Sequence, residues 1–503
     1  MKNIILPAIS SLMIGFTAVQ VYAPMAHAQA QTSQAQQKLQ RIQALARVLN
    51  GHGLMYSLYL NPVVESDLQN LANTNNLVLL EPRLAALATR MTSDLSRGRV
   101  LPTAVADKAP IKAKAYAHQA SATAYLNGTM SLEQLLANVT PKNRIYVESL
   151  TALKLIMDIK AQNKWTPKPA GLALVTIKKG LKNPAVVSYA RTQLENFGYP
   201  NNTANTAADA ELDAAIRAFQ TDNALVSDGI AGQNTWKILD KSVDQLITQG
   251  ILNLDRTRWL PDQNAAEYIY VNLALQTFQY FENEKETMSF RTINGRLDRQ
   301  TPMLVDVARE VVLNPTWTVP RTIFVKDKLA KLRESPGYAA ELHARVISDI
   351  TGKEVDPYSV DWNQDASRLP YTLVQIPGPW NALGRIKFPL TNDFAIYLHD
   401  TNERNLFVES DRLRSSGCVR LHKPFDVGAK LLTGTKWGDV DVLKNATELN
   451  PVQAEKPTNI SLKRSVPVYL AYKTLMSSGA KIISSNDPYG VDAAMYAVMF
   501  SGK

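Results

Sequence analysis

Residues 414–422 read RSSGCVRLH, and Cys418 within them is the only cysteine among 503 residues. Two serines, a glycine, an arginine and a histidine lie within four positions of it. A thiol that merely packs normally sits among aliphatic side chains, whereas this setting is polar and turn-forming. In an oxidising compartment an unpaired cysteine is a chemical liability unless it is buried or used. The neighbours direct the reading toward a thiol that is used.

The compartment follows from the first residues, MKNIILPAISSLMIGFTAVQVYAPMAHAQA. One lysine, an apolar run and the small residues Ala26 and Ala28 have the layout of a secretory signal peptide, expected over 1–28. An uncleaved anchor is disfavoured because Pro7, Ser10, Ser11, Gly15 and Gln20 interrupt the run. No later segment stays apolar for the ~20 residues a spanning helix needs. Hydrophobic content of 45% and charged content of 20% fit a soluble globular protein rather than a disordered one. A net charge of +10 suits an anionic partner without naming it. Export, and the absence of a compact Lys/Arg stripe interleaved with aromatics, argue against nucleic acid.

Such a length calls for several domains. Residues 31–180 read as a helical scaffold: Leu39, Ile42, Leu45 and Leu49 form an apolar stripe, as do Leu84, Leu87, Met91 and Leu95. Ser131 with Gln134 is a capping box opening a further helix. NKWTPKPAGLALVTIKKGLKNP (163–184) carries three prolines and reads as a connector. Residues 183–240 then offer three short helices, with Val187, Ala190, Leu194 and Phe197 on one face and Leu212, Ile216 and Phe219 on the next. Through QLENFGY, AIRAFQ and DGIAGQNTW this unit resembles a peptidoglycan-binding domain.

From 264 the texture turns to β-rich runs broken by ENEKE, the pattern of consecutive hairpin strands. A β-rich domain is expected over 264–445, with a mainly helical insertion at about 321–370 placed to cap a cleft. Within it, IFVKDKLAKLRESPGYAAELHARVISDI reads as helical. Residues 446–503 are expected to pack on the scaffold or on the β-rich domain. The fold class is thus multidomain α+β.

A thiol becomes an effective nucleophile when a histidine takes or shares its proton. Of six histidines, His27 lies in the leader, His52 and His118 in the helical region and His343 in the insertion. His399 follows FAIYL at the end of an expected strand, nineteen residues before the thiol. A strand end is a rigid platform, which favours His399, although His422 stands only four residues past the cysteine and shares a face with it if that stretch is helical. Amides of Gly417 and Cys418, both turned inward, would form an oxyanion hole. Arg420 offers a fork for a carboxylate or a structural tie. Ser415 and Ser416 are turn formers or partners of the histidine.

IYLHDT (396–401) followed by SSGCVRL (415–421) resembles the signature of the L,D-transpeptidase catalytic domain of the YkuD type, His-x-Thr and then Ser-x-Gly-Cys-(Ile/Val)-Arg. The matching residues are His399, Thr401, Ser415, Gly417, Cys418, Val419 and Arg420. NLDRTRWLP, YIYVN, NGRLDRQTP, NPTWTVP and GPWNALGRIKF resemble the large multidomain Gram-negative subgroup. Asp400 stands where many members have glycine and Ser416 where many have histidine; both fit that subgroup. His422 replaces a small polar residue and has no assigned role.

The resemblance implies a periplasmic enzyme with Cys418 as nucleophile and His399 as proton carrier, with Gly417, Ser415, Ser416, Arg420 and Thr401 in oxyanion or positioning roles. Its substrates would be peptidoglycan stem peptides: the thiol attacks the third residue, D-alanine leaves, and an amine of a second stem gives a 3→3 cross-link. It further implies glycan contact through 183–240, carbapenems as acylating inhibitors, and neither metal nor cofactor. L,D-carboxypeptidase and lipoprotein attachment share the acyl-enzyme and remain alternatives. A papain-like wall amidase is disfavoured because His399 precedes Cys418. A non-catalytic wall-binding protein would leave that whole constellation without use.

Overall fold

A computed structural model describes residues 33–105, 111–262, 265–448 and 456–500. The expected signal peptide, 1–28, lies outside the described residues. The first helix, Gln34–Gly51, begins where the Ser33 hydroxyl accepts the Gln36 N–H at 3.2 Å. Its stripe of Leu39, Ile42, Leu45 and Leu49 is fully buried, packed on helix Leu77–Arg97 through Leu84, Met91 and Leu95. The Ser131–Gln134 capping box forms in both directions, at 3.2 and 2.9 Å. Helix Arg144–Ala161 instead packs along Val243–Thr257. Helices Pro184–Asn196, Ala210–Asp222 and Gln233–Leu239 form the three-helix unit around Leu194, Phe197, Phe219 and Trp236.

The strands are β1 Glu267–Asn272, β2 Thr277–Glu282, β3 Lys285–Gly295, β4 Leu304–Leu313, β5 Trp317–Thr318, β6 Ala344–Ser348, β7 Glu354–Val355, β8 Tyr371–Gln375, β9 Ile386–Phe388, β10 Leu398–His399, β11 Leu413–Ser415, β12 Val419–Leu421 and β13 Thr458–Ala471. A hairpin of β14 Leu475–Ser478 and β15 Lys481–Ser484 follows. Nine strands make one sheet in the order β11-β3-β12-β10-β9-β4-β13-β1-β2, and pairing of β2 with β3 closes the ring. The ENEKE break is a two-residue turn with Asn283 and Glu284 both at positive φ, +46° and +63°, the twist that suits a hairpin. Alternation divides β1 between two cores. Ile269 and Val271 join the interior with Phe278, Leu398 and Val419, while Tyr268 and Tyr270 pack outside with Ile145, Leu260 and Tyr469.

Between β4 and β9 lies the capping insertion, with its own core of Phe324, Leu329, Leu332, Trp362 and Leu373. Its helix runs Arg321–Ile323, a wide π turn Phe324–Lys328, then Leu329–Glu334. The helical reading of HARVISDI is corrected here. Ala344–Ser348 is strand β6, paired antiparallel with β8 over five residues in the sheet order β5-β8-β6-β7. His343 at φ +50° breaks the preceding helix, and the β-branched Val346 and Ile347 suit the pleat.

The C-terminal residues do more than pack on a neighbour. β13 lies between β4 and β1, antiparallel to the first and parallel to the second, so the β-rich domain extends past the boundary expected at 445. The hairpin that follows inserts Leu475 and Ile482 into the core of the three-helix unit, and helix Val491–Phe500 packs on Val243–Thr257. Ending the chain at 457 removes a ladder from both β1 and β4, a loss comparable with the ~5–15 kcal/mol that holds a domain folded. The truncated chain should lose the cooperative near-ultraviolet dichroism transition of the β-rich domain; a transition matching the full chain's would show β13 to be dispensable.

Candidate active site

The thiol loop is the bend between two strands that both lie against β3: β11 pairs with it in parallel and β12 antiparallel. Gly417 turns this bend at φ +121°, where a Cβ would meet Ile396 Cδ1 at 3.2 Å. Ser415 Oγ donates to Cys418 O at 2.5 Å and accepts the Gly417 N–H at 3.1 Å. From below, Thr301 Oγ1 donates to Gly417 O at 2.7 Å and accepts the Gly295 N–H at 2.8 Å. The expected pair of inward amides is therefore not available: Gly417 N–H is taken by Ser415. Cys418 N–H has no hydrogen-bond partner among the described residues, and the trans peptide turns it away from Thr301.

β12 also pairs in parallel with β10, placing Leu398 opposite Val419 and His399 opposite Arg420. This brings Cys418 beside Tyr397. The thiol is partly buried, and Sγ donates to Ala395 O at 3.4 Å rather than to His399. Burial pushes the thiol pKa up; the backbone and hydroxyl of Tyr397 and the charges of Lys387 and Arg420 pull the other way but do not win. Lys387 Nζ sits 4.0 Å from the Tyr397 ring centroid, and burial lowers its pKa against the opposing pull of Cys418. Burial, then Cys418 itself, raises the Tyr397 phenol.

His399 is 4% exposed, with its ring edge-on to Tyr397 at 5.5 Å. Burial, then the positive charge of Arg420, lowers its pKa to about 3. Nearby backbone at Asp400 and Leu383 favours the charged ring less strongly than burial opposes it, and Nδ1 makes no well-formed hydrogen bond among the described residues. The resting thiol and imidazole are thus both uncharged at neutral pH.

The remaining sequence candidates divide. Arg420 is not a free fork: Nη1 is held by Glu403 Oε2 at 2.5 Å, and Nε is buried without a partner among the described residues. Thr401 is buried, its hydroxyl accepting the Glu403 N–H at 3.1 Å, which shapes the loop behind His399. Ser416 Oγ accepts from Arg299 Nη1 at 3.0 Å. Asp400, buried, accepts the Arg385 N–H at 3.0 Å and pairs with Arg404. Gly384, at φ +60°, would drive a Cβ to within 2.4 Å of that carboxylate. His422 points elsewhere, its ring 4.9 Å from Phe407.

Above the loop the cap closes a cleft of about 740 Å³. Trp317, Asp327, Glu341, His343 and Trp380 line it from the cap side, and Tyr397, His399, Cys418 and Arg420 from the barrel. His343 stacks on Trp380 at 4.0 Å. Tyr397 was absent from the sequence candidates although it stands two residues before His399, the interval that returns an extended chain to the same face. Arg299 carried no local signal, being 117 residues from Ser416.

These shifts fix a sign for pH. A raised thiol pKa delays the thiolate, so iodoacetamide alkylation of Cys418 should show its inflection above the ordinary thiol range. Lys387→Met, removing a charge that favours the thiolate, should move it higher still. An inflection below the ordinary range would instead reveal a resting thiolate–imidazolium pair.

Residues 266–441 match the YkuD family, the L,D-transpeptidase catalytic domain, and 184–239 match the family described as "Putative peptidoglycan binding domain". Over 253 residues the chain is 35% identical to a "Putative L,D-transpeptidase" of Haemophilus influenzae, 50% of each chain being covered. The chain thus spans about half the length of that curated relative. Crystal structures of L,D-transpeptidases from Stackebrandtia nassauensis (13% identity, 60% of this chain and 97% of that one, TM-score 0.25) and Xylanimonas cellulosilytica (12%, 60% and 99%, TM-score 0.18) are also similar. The β-rich residues 266–441 that hold the thiol and the imidazole belong to the YkuD family of L,D-transpeptidase catalytic domains, joined in this chain to a peptidoglycan-binding domain at 184–239.

Proposed function

We propose that this chain is a peptidoglycan L,D-transpeptidase in which Cys418 is the nucleophile and His399 carries the proton. The observation that supports this most is the meeting of the lone thiol and a buried, neutral imidazole in one capped cleft of a YkuD-family domain. The thiol attacks the carbonyl of the third stem residue while its proton passes to the neutral His399 ring. Cys418 N–H, left free by the turn at Gly417, is the donor placed for the oxyanion, with the Tyr397 hydroxyl a second candidate. Collapse breaks the bond to D-alanine, whose amine takes the proton from His399, and leaves a thioester. The side-chain amine of a second stem, usually that of diaminopimelate, then attacks the thioester, restores the thiol and makes the 3→3 cross-link.

Arg420 and Lys387 favour negative charge on sulfur and oppose a charged imidazole. They stabilise the negative charge that develops on attack, against the cost of opposing the imidazolium formed in the same step. Around this centre, 31–180 serve as scaffold, 183–240 as a glycan contact, and 1–28 as the export signal that delivers the enzyme to the periplasm. Among the described residues no helix is long and apolar enough to cross a membrane. Carbapenems acylate the same thiol, and the chemistry calls for no metal or cofactor.

Incubated with disaccharide-tetrapeptide, the chain without residues 1–28 should yield a 3→3 dimer and free D-alanine, both read by mass spectrometry. Cys418→Ala should abolish both, and His399→Gln should lower the rate by ~10²–10⁴-fold. Tripeptide alone would reassign the enzyme as an L,D-carboxypeptidase. Neither product, with Cys418 also inert to a carbapenem, would contradict a catalytic role.

A further inference from the structure

The segment joining β3 to β4 carries Arg299, whose guanidinium touches two elements distant in sequence. It makes a two-pronged ion pair with Asp327, Nη1 to Oδ2 at 2.5 Å and Nη2 to Oδ1 at 2.7 Å. Nη1 also donates to Ser416 Oγ at 3.0 Å. Asp327 lies in the π turn of the cap helix and lines the cleft; Ser416 lies two residues before the thiol. The Arg299 and Asp327 side chains are 10% and 29% exposed. A second guanidinium, that of Arg296, stands 3.6 Å from the same carboxylate.

The two ends of this contact differ in how they are held. Beneath Arg299 the segment is fastened to the thiol loop and to the C-terminal segment: Thr301 holds Gly417 O, and Tyr489 donates to Gly295 O at 2.5 Å. The cap, by contrast, has a core of its own; it is joined to the barrel through the chain passages at β4–β5 and β8–β9, and Asn402 Nδ2 donates to Trp380 O at 3.0 Å. A bidentate Arg–carboxylate pair is directional and among the stronger polar contacts, and π turns recur at functional sites. Partial exposure leaves this pair open to screening by salt.

We propose that the Arg299–Asp327 pair is a latch that holds the cap over the cleft, and that Arg299 is a positioning residue which ties cap closure to the thiol loop through Ser416. The latch sets how far the cleft opens to an incoming stem peptide. Its role in turnover rests on the transpeptidase reading; its role in cap motion does not.

Three variants separate the two ends. Asp327→Asn keeps the shape and weakens the cap tie alone. It should speed amide hydrogen exchange across 321–334 by about tenfold and raise Cys418 alkylation by iodoacetamide about threefold at fixed pH, by wider opening. KM for tetrapeptide should change more than kcat. Arg299→Gln should loosen the cap equally and also lower kcat by about tenfold, because Ser416 loses a charged donor next to the thiol. The swap Arg299→Asp with Asp327→Arg should return cap exchange toward wild type while kcat stays low, since aspartate cannot donate to Ser416. Unaltered chain moved from 0.05 to 0.5 M KCl should reproduce the faster exchange of Asp327→Asn, a check that needs no variant to fold. Unchanged exchange and alkylation in both Asp327→Asn and high salt would overturn the latch. Exchange and alkylation are read without turnover, so they decide the latch even for a chain that forms no cross-link, a result that would count against the proposed function alone.

Discussion

The parallel pairing of β10 with β12 is the constraint on which the site depends. It is two residues long, Leu398 with Val419 and His399 with Arg420, extended by the Val419 N–H bonding Tyr397 O at 3.1 Å. A slip of one residue would turn every side chain on the strand to the opposite face, separating the imidazole from the cleft that holds the thiol. So short a ladder is not stable alone. It is held because β9 and β12 flank β10 in a closed ring whose far side is β13, contributed by residues 458–471. The C-terminal segment thus supports a site it does not touch.

Burial gives this pair its chemistry. The same desolvation raises the thiol and lowers the imidazole, which opposes a resting ion pair and leaves two neutral partners. Arg420 lowers both pKa values, which favours the charged form of the thiol and disfavours that of the imidazole. Its guanidinium is anchored by Glu403, so that positive charge is fixed in place before any substrate arrives. In the proposed reaction the negative charge comes to the cation, and little has to reorganise.

Much of this was legible in the sequence because the signals are local. The polar surroundings of Cys418, the strand leading to His399, the Ser131–Gln134 capping box and the hairpin turn at Asn283-Glu284 each lie within a few residues. What escaped is what depends on distant partners. β13 pairs with strands some 150–200 residues away. Thr301 and Arg299 reach the thiol loop across 116 and 117 residues. The strand Ala344–Ser348 followed a convincing helical run, and only its pairing with β8 and the left-handed His343 separate the two. The inward Gly417 amide failed for a local reason: a serine two residues back offers that N–H a nearer acceptor.

In the proposed reaction an acyl group passes through Cys418. Intact-protein mass spectrometry of the chain without residues 1–28, mixed with tetrapeptide donor and no amine acceptor, tests it most directly. The expected result is an adduct equal to the donor less D-alanine, located by proteolysis on the peptide containing residues 415–420 and absent when His399 is replaced by glutamine on the same timescale. An adduct on any other residue, or D-alanine released with Cys418 replaced by alanine, would contradict it.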